Sequence, residues 1–485
     1  MSFAARTAML CALALPLLGA SGNGSDALRL LERMRAAAGP VWTAHIVSVS
    51  RLTYGGGPAV VSTDSEGYRL RIAHCSGEIC DGSYFDGKRL YAVDMNGTAV
   101  PLSRQTEPYL RSLRIATSLE FLSPSFLRDG GTIGAFGNEL FEGRTYRTFI
   151  VGDRDSIPIR LFVDPATSLV RFAREFGGPD VFEFRNYRRA GRYMLPFDVL
   201  HDGKVFEHFD DRAVVSSAFA PPRGPQPQLS APVVTVNTDS NRIQPIVDCS
   251  IGGIALRCLI DTGNSGLSLS SEIASRLGAN VVGTYSVRGL GGYSTHVVRA
   301  GPLRVGGATF PEAYYVVLDD LRHYGYDVVL GADIFGATNV EIDLAAHTLR
   351  FGVRANDRAI AIPLSFEHYV PVARVELSGL QTDLAVDTGD ESNVNLAYDY
   401  YEQHPKLFTV TTRRLVGGIG GTSVEMIGQI DNVTIGDYHT GPQRIGTTQN
   451  LQGTASGHLG AAFLAQFVAV FDYAAGELRL LPRHS

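Results

Sequence analysis

The sequence predicts a mainly β protein: an antiparallel β-rich domain with a helix, then two similarly built β lobes. Three observations predict it. From Trp42 to about Val215, short β-branched and aromatic runs alternate with Gly, Asp and Asn turns. From about residue 233 onward the chain repeats its own landmarks in order. Finally, 53 Gly and 23 Pro with only 19% charged residues describe a turn-rich globular chain, which disfavours disorder and coiled coil. A length of 485 residues suits about three domains.

The amino terminus is set apart. Arg6 precedes a mostly apolar stretch, Thr7 to Leu18, and then the small residues Gly19, Ala20, Ser21 and Gly22, which reads as a signal peptide over 1–21. The apolar run is short for a membrane anchor, and Pro16 interrupts it. Cys11 follows Met9-Leu10 without the small residue that lipoprotein processing wants, so lipidation is not expected. The expectation is a periplasmic or secreted protein with no integral membrane segment after signal removal. Four cysteines remain, as two local pairs in a chain bound for an oxidising compartment. Cys75 and Cys80 bracket a short loop, whereas Cys249 and Cys258 lie on two strand-like runs where they can meet only diagonally. No Cys-His spacing suits a metal. The net charge of −6 is spread without long runs of one sign, which leaves no footprint for nucleic acid or an anionic membrane.

Residues 22–217 are expected to form the β-rich domain, with a short amphipathic helix over Asp26–Ala38. Its strand-like runs include Ala44 to Val49, Tyr68 to Ile72, Thr145 to Val151 and Arg160 to Val163. The rhythm of Leu161 to Val170, Phe182 to Tyr187 and Leu195-Pro-Phe resembles the half-barrel of bacterial lipoprotein carriers, so envelope lipid or lipoprotein binding stands beside a plain structural role. Residues 218–232 are rich in proline and read as an extended linker. Two lobes, 233–356 and 357–485, follow.

The repeat carries the chemistry. Pro245-Ile-Val recurs as Pro371-Val-Ala, and Asp261-Thr262-Gly263 recurs as Asp387-Thr388-Gly389 at the same spacing. Gly289-Leu290-Gly291-Gly292 then matches Gly418-Ile419-Gly420-Gly421, Leu330-Gly-Ala matches Leu459-Gly-Ala, and Ile342-Asp-Leu-Ala-Ala matches Phe471-Asp-Tyr-Ala-Ala. Each copy runs an apolar strand into Asp-Thr-Gly, presenting a carboxylate on a tight turn. If the copies pack about a pseudo-twofold axis, Asp261 and Asp387 meet. Two like charges that close share one proton and titrate as a unit. One carboxyl then serves as general base on a water while the other polarises a peptide carbonyl.

On these residues the chain resembles the aspartic protease clan, closer to its retroviral-protease-like branch, over roughly 237–482. The resemblance implies two retropepsin-like β-barrel lobes in one chain, with Asp261 and Asp387 as catalytic residues. It implies that the hydroxyls of Thr262 and Thr388 cross-link the two loops, with Gly263 and Gly389 in support. Flap tips at Gly289 to Gly292 and Gly418 to Gly421 are implied to bend over an extended peptide or protein substrate. Val328 to Phe335 and His458 to Leu464 resemble the segments that pass behind each loop, and Leu267 to Leu277 a helix-bearing stretch. No cofactor or metal is implied. Homodimerisation is unnecessary, because one chain holds both halves.

The residue after each Asp-Thr-Gly departs from the family's usual Ser, Thr or Ala: Asn264 in one copy, Asp390 in the other. Asn264 retains a hydrogen-bond donor. Asp390 either places a third acid beside the dyad or, the more ordinary fate, faces solvent or caps an amide. A catalytically inactive peptide-binding relative is the alternative reading. Rival constellations are thin. Ser265 lacks the Gly-x-Ser-x-Gly spacing and a partner His. His296, His323 and His458 read as ordinary polar positions, Asp343 and Asp472 as turn caps. The glycine-rich turns carry no phosphate-loop Lys and open no helix, so nucleotide cofactors are unsupported.

Overall fold

The computed structural model describes residues 23–483, apart from 41–44, 55–56, 67–68, most of 103–118, 176–179, 452–454 and residues 155, 218, 320, 355 and 450. The expected signal segment and Cys11 lie outside the described residues. The chain is mainly β and divides into two compact units that do not follow chain order. No helix among the described residues is long and apolar enough to cross a membrane.

One unit joins the helix Asn23–Ala38 to residues 112–204. Leu30, Leu31, Met34 and Ala38 recur at helical spacing and are buried, while Glu32 and Arg33 face solvent. Arg35, in the last turn, donates from Nε to the Leu122 carbonyl at 2.6 Å. The strands Thr132–Phe141, Arg144–Gly152, Ile159–Val163, Val170–Glu175, Val181–Arg185 and Asp198–His201 pair antiparallel in chain order. The rings of Phe141, Tyr146, Phe162 and Phe172 pack edge to face or tilted on this sheet.

The other unit holds residues 43–111 and 205–485. It opens with an antiparallel meander of His45–Tyr54, Gly57–Glu66, Arg69–Ser76, Ile79–Phe85, Leu90–Val93 and Ala99–Pro101. Cys75 and Cys80, opposite each other in the meander, are bonded. The proline-rich stretch contributes a short strand, Gln228–Leu229, that pairs with Ala308–Phe310.

In residues 233–356, Ile246–Ile251 and Ile254–Ile260 form a hairpin. Cys249 opposes Leu256 but is bonded to Cys258, so the bridge runs diagonally across Cα atoms 5.9 Å apart. Ile254–Ile260 lies parallel to Val328–Leu330, which is antiparallel to Leu267–Ser270, which in turn is parallel to Ala313–Leu318. The series ends in the hairpin Val281–Arg288 and Gly292–Ala300. Residues 357–485 run through the same pairings. The hairpin Val370–Leu377 and Leu380–Val386 lies parallel to Gly457–Leu459, then come Val394–Ala397, Gln443–Thr448 and the hairpin Thr412–Gly418 and Gly421–Ile430.

The two halves share one sheet. Val340–Asp343 pairs antiparallel with Phe467–Asp472, extended on one side by Thr348–Phe351 and Val234–Asn237 and on the other by Glu477–Pro482 and Ile360–Glu367. Phe335 from the first half packs on Phe471 and Tyr473 of the second, each at 5.3 Å between ring centroids. Asp343 and Asp472 cap the turns beside this seam by accepting from the amides of Ala346 and Ala475.

The meander also reaches the first half. The turn between Leu90–Val93 and Ala99–Pro101 is held by Asp94, whose Oδ1 accepts from the amides of Asn96 and Thr98. From that turn the Asn96 side-chain Nδ2 donates to Asp333 Oδ2 at 2.9 Å, and the Thr98 hydroxyl donates to Asp333 Oδ1. Asp333 is wholly buried and stands three residues after Leu330, in the helix Ala332–Ala337. Burial and the neighbouring Asp333 push the Asp94 carboxyl well above the usual carboxylate range; burial likewise raises Asp333, against the pull of its hydrogen bonds. A carboxyl whose folded pKa is raised stabilises the fold while protonated and loses that contribution as pH climbs. Wild-type stability should therefore fall as pH rises from about 4 toward the raised values, whereas Asp94→Asn should flatten the dependence. Calorimetric melting of both proteins across that range checks it; parallel curves would refute a raised Asp94 carboxyl.

Candidate active site

Each Asp-Thr-Gly turn follows a strand whose last residue, Ile260 or Val386, is wholly buried. Strands from further along the chain hold both turns from behind. The Asp261 amide donates to the Leu330 carbonyl and the Asp387 amide to the Leu459 carbonyl, each at 2.9 Å. Glycine makes that approach possible: a Cβ at Gly331 would fall 2.1 Å from the Asn264 carbonyl oxygen, and one at Gly460 2.2 Å from that of Ser392.

The turns meet face to face. The Thr262 amide donates to the Thr388 hydroxyl and the Thr388 amide to the Thr262 hydroxyl, both at 3.0 Å. Each hydroxyl then donates across the seam, Thr262 to the Val386 carbonyl at 2.6 Å and Thr388 to the Ile260 carbonyl at 2.8 Å. Both threonines are wholly buried. Each carboxyl rests on the opposing glycine: a Cβ at Gly263 would lie 2.4 Å from Asp387 Cγ, and one at Gly389 2.6 Å from Asp261 Cγ. Burial, the Asp387 charge and a hydrogen bond with Asp387 push the Asp261 carboxyl well above the usual range, against the opposing pull of the Gly263 amide and His458. The expected pairing of Asp261 with Asp387 over linked threonines is thus present as geometry.

His458 does not behave as an ordinary polar position. Its Nδ1 lies 3.2 Å from Asp387 Oδ2 and 3.4 Å from Asp390 Oδ2. Burial disfavours the charged ring, yet hydrogen bonds to the two carboxylates lift it to about 10, so the imidazolium persists through neutral pH. Asp390 falls below the usual range because His458 and the Ser392 amide outweigh its burial. It therefore does more than cap: Oδ1 accepts from the Ser392 amide at 2.8 Å while Oδ2 faces His458. Asp387, Asp390 and His458 thus bring a ring nitrogen and two carboxylates together, an arrangement that serves as an ion-pair network and whose atoms also lie close enough to act as ligands. Asn264 keeps its donor role, bonding the Gly266 carbonyl and the Ser268 hydroxyl. Asp180, His201 and Asp202 in the other unit also bring possible ligand atoms close together, partly exposed.

The two glycine-rich tips touch. Leu290 donates its amide to the Ile419 carbonyl at 2.9 Å. A Cβ at Gly289 would lie 2.4 Å from that carbonyl oxygen, and one at Gly291 2.2 Å from the Gly420 carbonyl oxygen. Gly420 has φ +85°, a conformation that favours glycine. Gly292 and Gly421 begin the returning strands, and the Gly418 carbonyl accepts from the Tyr324 hydroxyl at 3.0 Å. Sequence reasoning missed Tyr324. It also missed Tyr326, a buried phenol raised by burial and by the Asp261 and Asp387 charges, and Gln244, which donates to the Gly389 carbonyl at 2.6 Å. Their types carry no signal in the sequence. His458 did carry one, as the polar residue standing where the other repeat has apolar Val329.

Residues 247–334 match a family model described as aspartyl protease. The matched segment contains the Asp261 turn, the Gly289 tip and the Val328–Leu330 strand. No curated protein matches the chain. The family match supports a protease-like function of the aspartyl type.

Replacing a cross-linking hydroxyl strands two buried groups, an amide and a carbonyl. Thr262→Val should cost about 2–4 kcal/mol of unfolding free energy in denaturant titration, and Thr262→Ser far less. Equal losses in the two variants would show that the hydroxyl is not the link. Gly389→Ala should fold less stably than wild type, because its Cβ displaces the Asp261 carboxyl.

Proposed function

We propose that the protein is an aspartic endopeptidase whose two retropepsin-like β-barrel lobes, 233–356 and 357–485, form one active site within a single chain. The observation that carries this reading is the opposed pair of Asp-Thr-Gly turns with reciprocal threonine hydrogen bonds and contacting carboxyls. The family match over one of the two turns supports it. An extended peptide would lie between the dyad and the tips at Gly289–Gly292 and Gly418–Gly421, which must part to admit it.

The chemistry follows from one shared proton. A water between Asp261 and Asp387 loses a proton to the carboxylate while its oxygen bonds to the scissile carbonyl carbon. The protonated partner gives its hydrogen to the carbonyl oxygen, yielding a neutral gem-diol. Collapse returns that hydrogen to the dyad, passes the water's proton to the amide nitrogen and breaks the C–N bond. Domain boundaries at 22–217 and 218–232, and export to the periplasm or exterior, complete the proposal; the two disulfides are compatible with an oxidising compartment.

Asp261→Asn and Asp387→Asn should each abolish nearly all turnover of a peptide library between about pH 3 and 7 while melting like wild type. Turnover equal to wild type in both variants would end the assignment. Binding of peptides by the wild type without cleavage would instead mark the inactive alternative.

A further inference from the structure

The two turns meet as near-equals in backbone, yet their surroundings differ. The Asp261 carboxyl accepts from the Gly263 amide at 2.7 Å. The Asp387 carboxyl accepts from two amides, Gly389 at 2.9 Å and Asp390 at 3.1 Å, and additionally faces the His458 ring at 3.2 Å. The difference is written into the repeat as a coupled exchange. Val329 and His458 occupy equivalent places: Val329 pairs with Ser268 and His458 with Asn395, one residue before the Leu-Gly of each supporting strand. Asn264 and Asp390 are equivalent as the residues after Asp-Thr-Gly. The first half therefore carries a neutral pair, Asn264 and Val329, where the second carries a charged one, Asp390 and His458. Neither charged residue would be tolerated alone so close to the dyad, because either would leave an unpaired charge in a partly buried site.

We infer that His458 and Asp390 are a positioning pair that fixes Asp387 as the dyad's carboxylate and leaves the shared proton on Asp261. The inference rests on the peptidase reading and divides its roles: Asp387 takes the proton from water and Asp261 gives one to the carbonyl oxygen. A cation touching one carboxyl only, with three nitrogens directed at that carboxyl against one at the other, places the negative charge on Asp387. Asp390 keeps the ring charged and aims it, as a carboxylate orients a functional histidine elsewhere. Other titratable groups near the dyad do not compete. Tyr326 and Tyr473 are buried phenols held neutral, and Arg242, near Tyr326, is paired with Glu391.

Two measurements on the full chain test this. The first follows the His458 ring by nitrogen-15 NMR with histidine labelling. The ring should stay doubly protonated to above about pH 8, and should titrate lower in Asp387→Asn and in Asp390→Asn. A ring that titrates near about 6.5 in every protein overturns the inference. The second is the pH profile of peptide cleavage. His458→Val should move the acid limb of kcat/KM upward and lower kcat about tenfold to a hundredfold with KM little changed. Asp390→Asn/His458→Val, which installs the pair found in the first half, should recover part of that kcat. An unchanged acid limb in His458→Val, or a double variant no better than the single, overturns it. A wild type that cleaves no peptide counts against the peptidase reading alone, since the ring signals decide His458 either way.

Discussion

The reciprocal hydrogen bonds of Thr262 and Thr388 are the constraint on which the rest depends. Each hydroxyl accepts the opposing amide and donates to an opposing carbonyl, so four polar bonds close in a volume with no water access. Leaving any of these groups unpaired in such a place is costly, and so the two turns have one low-energy separation. That separation sets the carboxyls against each other and the carboxyls against the glycines. The sheet shared through Val340–Asp343 and Phe467–Asp472 brings the halves into reach, but its spacing is coarse. The threonines supply the final alignment.

A site built by repetition begins with equal halves, and equal halves give a symmetric proton. Peptide hydrolysis by a water needs a base and an acid, two different states of the same side chain. A symmetric dyad acquires that difference from substrate and water. The Asp390 and His458 exchange offers another source, in the protein itself, and its net charge is zero. That neutrality matters: an isolated imidazolium beside the dyad would draw both carboxyls to the anionic state, whereas the paired cation acts mainly on the group it touches. The proposed choice of Asp387 as the anion therefore rests on proximity rather than on total charge.

Close approach explains the glycines that matter. Gly331 and Gly460 let supporting strands pass a carbonyl oxygen, Gly263 and Gly389 let carboxyls cross, and Gly289 and Gly291 let one tip lie on the other. Each is a place where any side chain would occupy the partner's volume. The Asp94 turn works differently, through charge: it inserts polar groups of the amino-terminal meander around Asp333, directly behind the first turn. Stability of that support is thereby tied to a buried proton, while the second half has Ala462 at the equivalent position and no such tie.

The sequence alone determined the repeat, the two carboxylates, their threonines and the glycine-rich tips, because backbone chemistry at tight turns demands particular residue types at particular spacings. It also placed both disulfides, since each joins neighbours in one hairpin. Tertiary structure decided what those spacings cannot carry. The contact of Asn96 and Thr98 with Asp333 joins residues more than two hundred positions apart, and nothing local marks a polar turn as a partner for a distant acid. The role of His458, marked in the sequence only by its polarity where the other repeat has Val329, emerged when Gly457–Leu459 came to lie beside Leu380–Val386 and set its ring next to Asp387. Local pattern specifies elements through periodicity and turn chemistry; the ionisation of a side chain depends on the field of its neighbours in space, and only the folded chain brings them there.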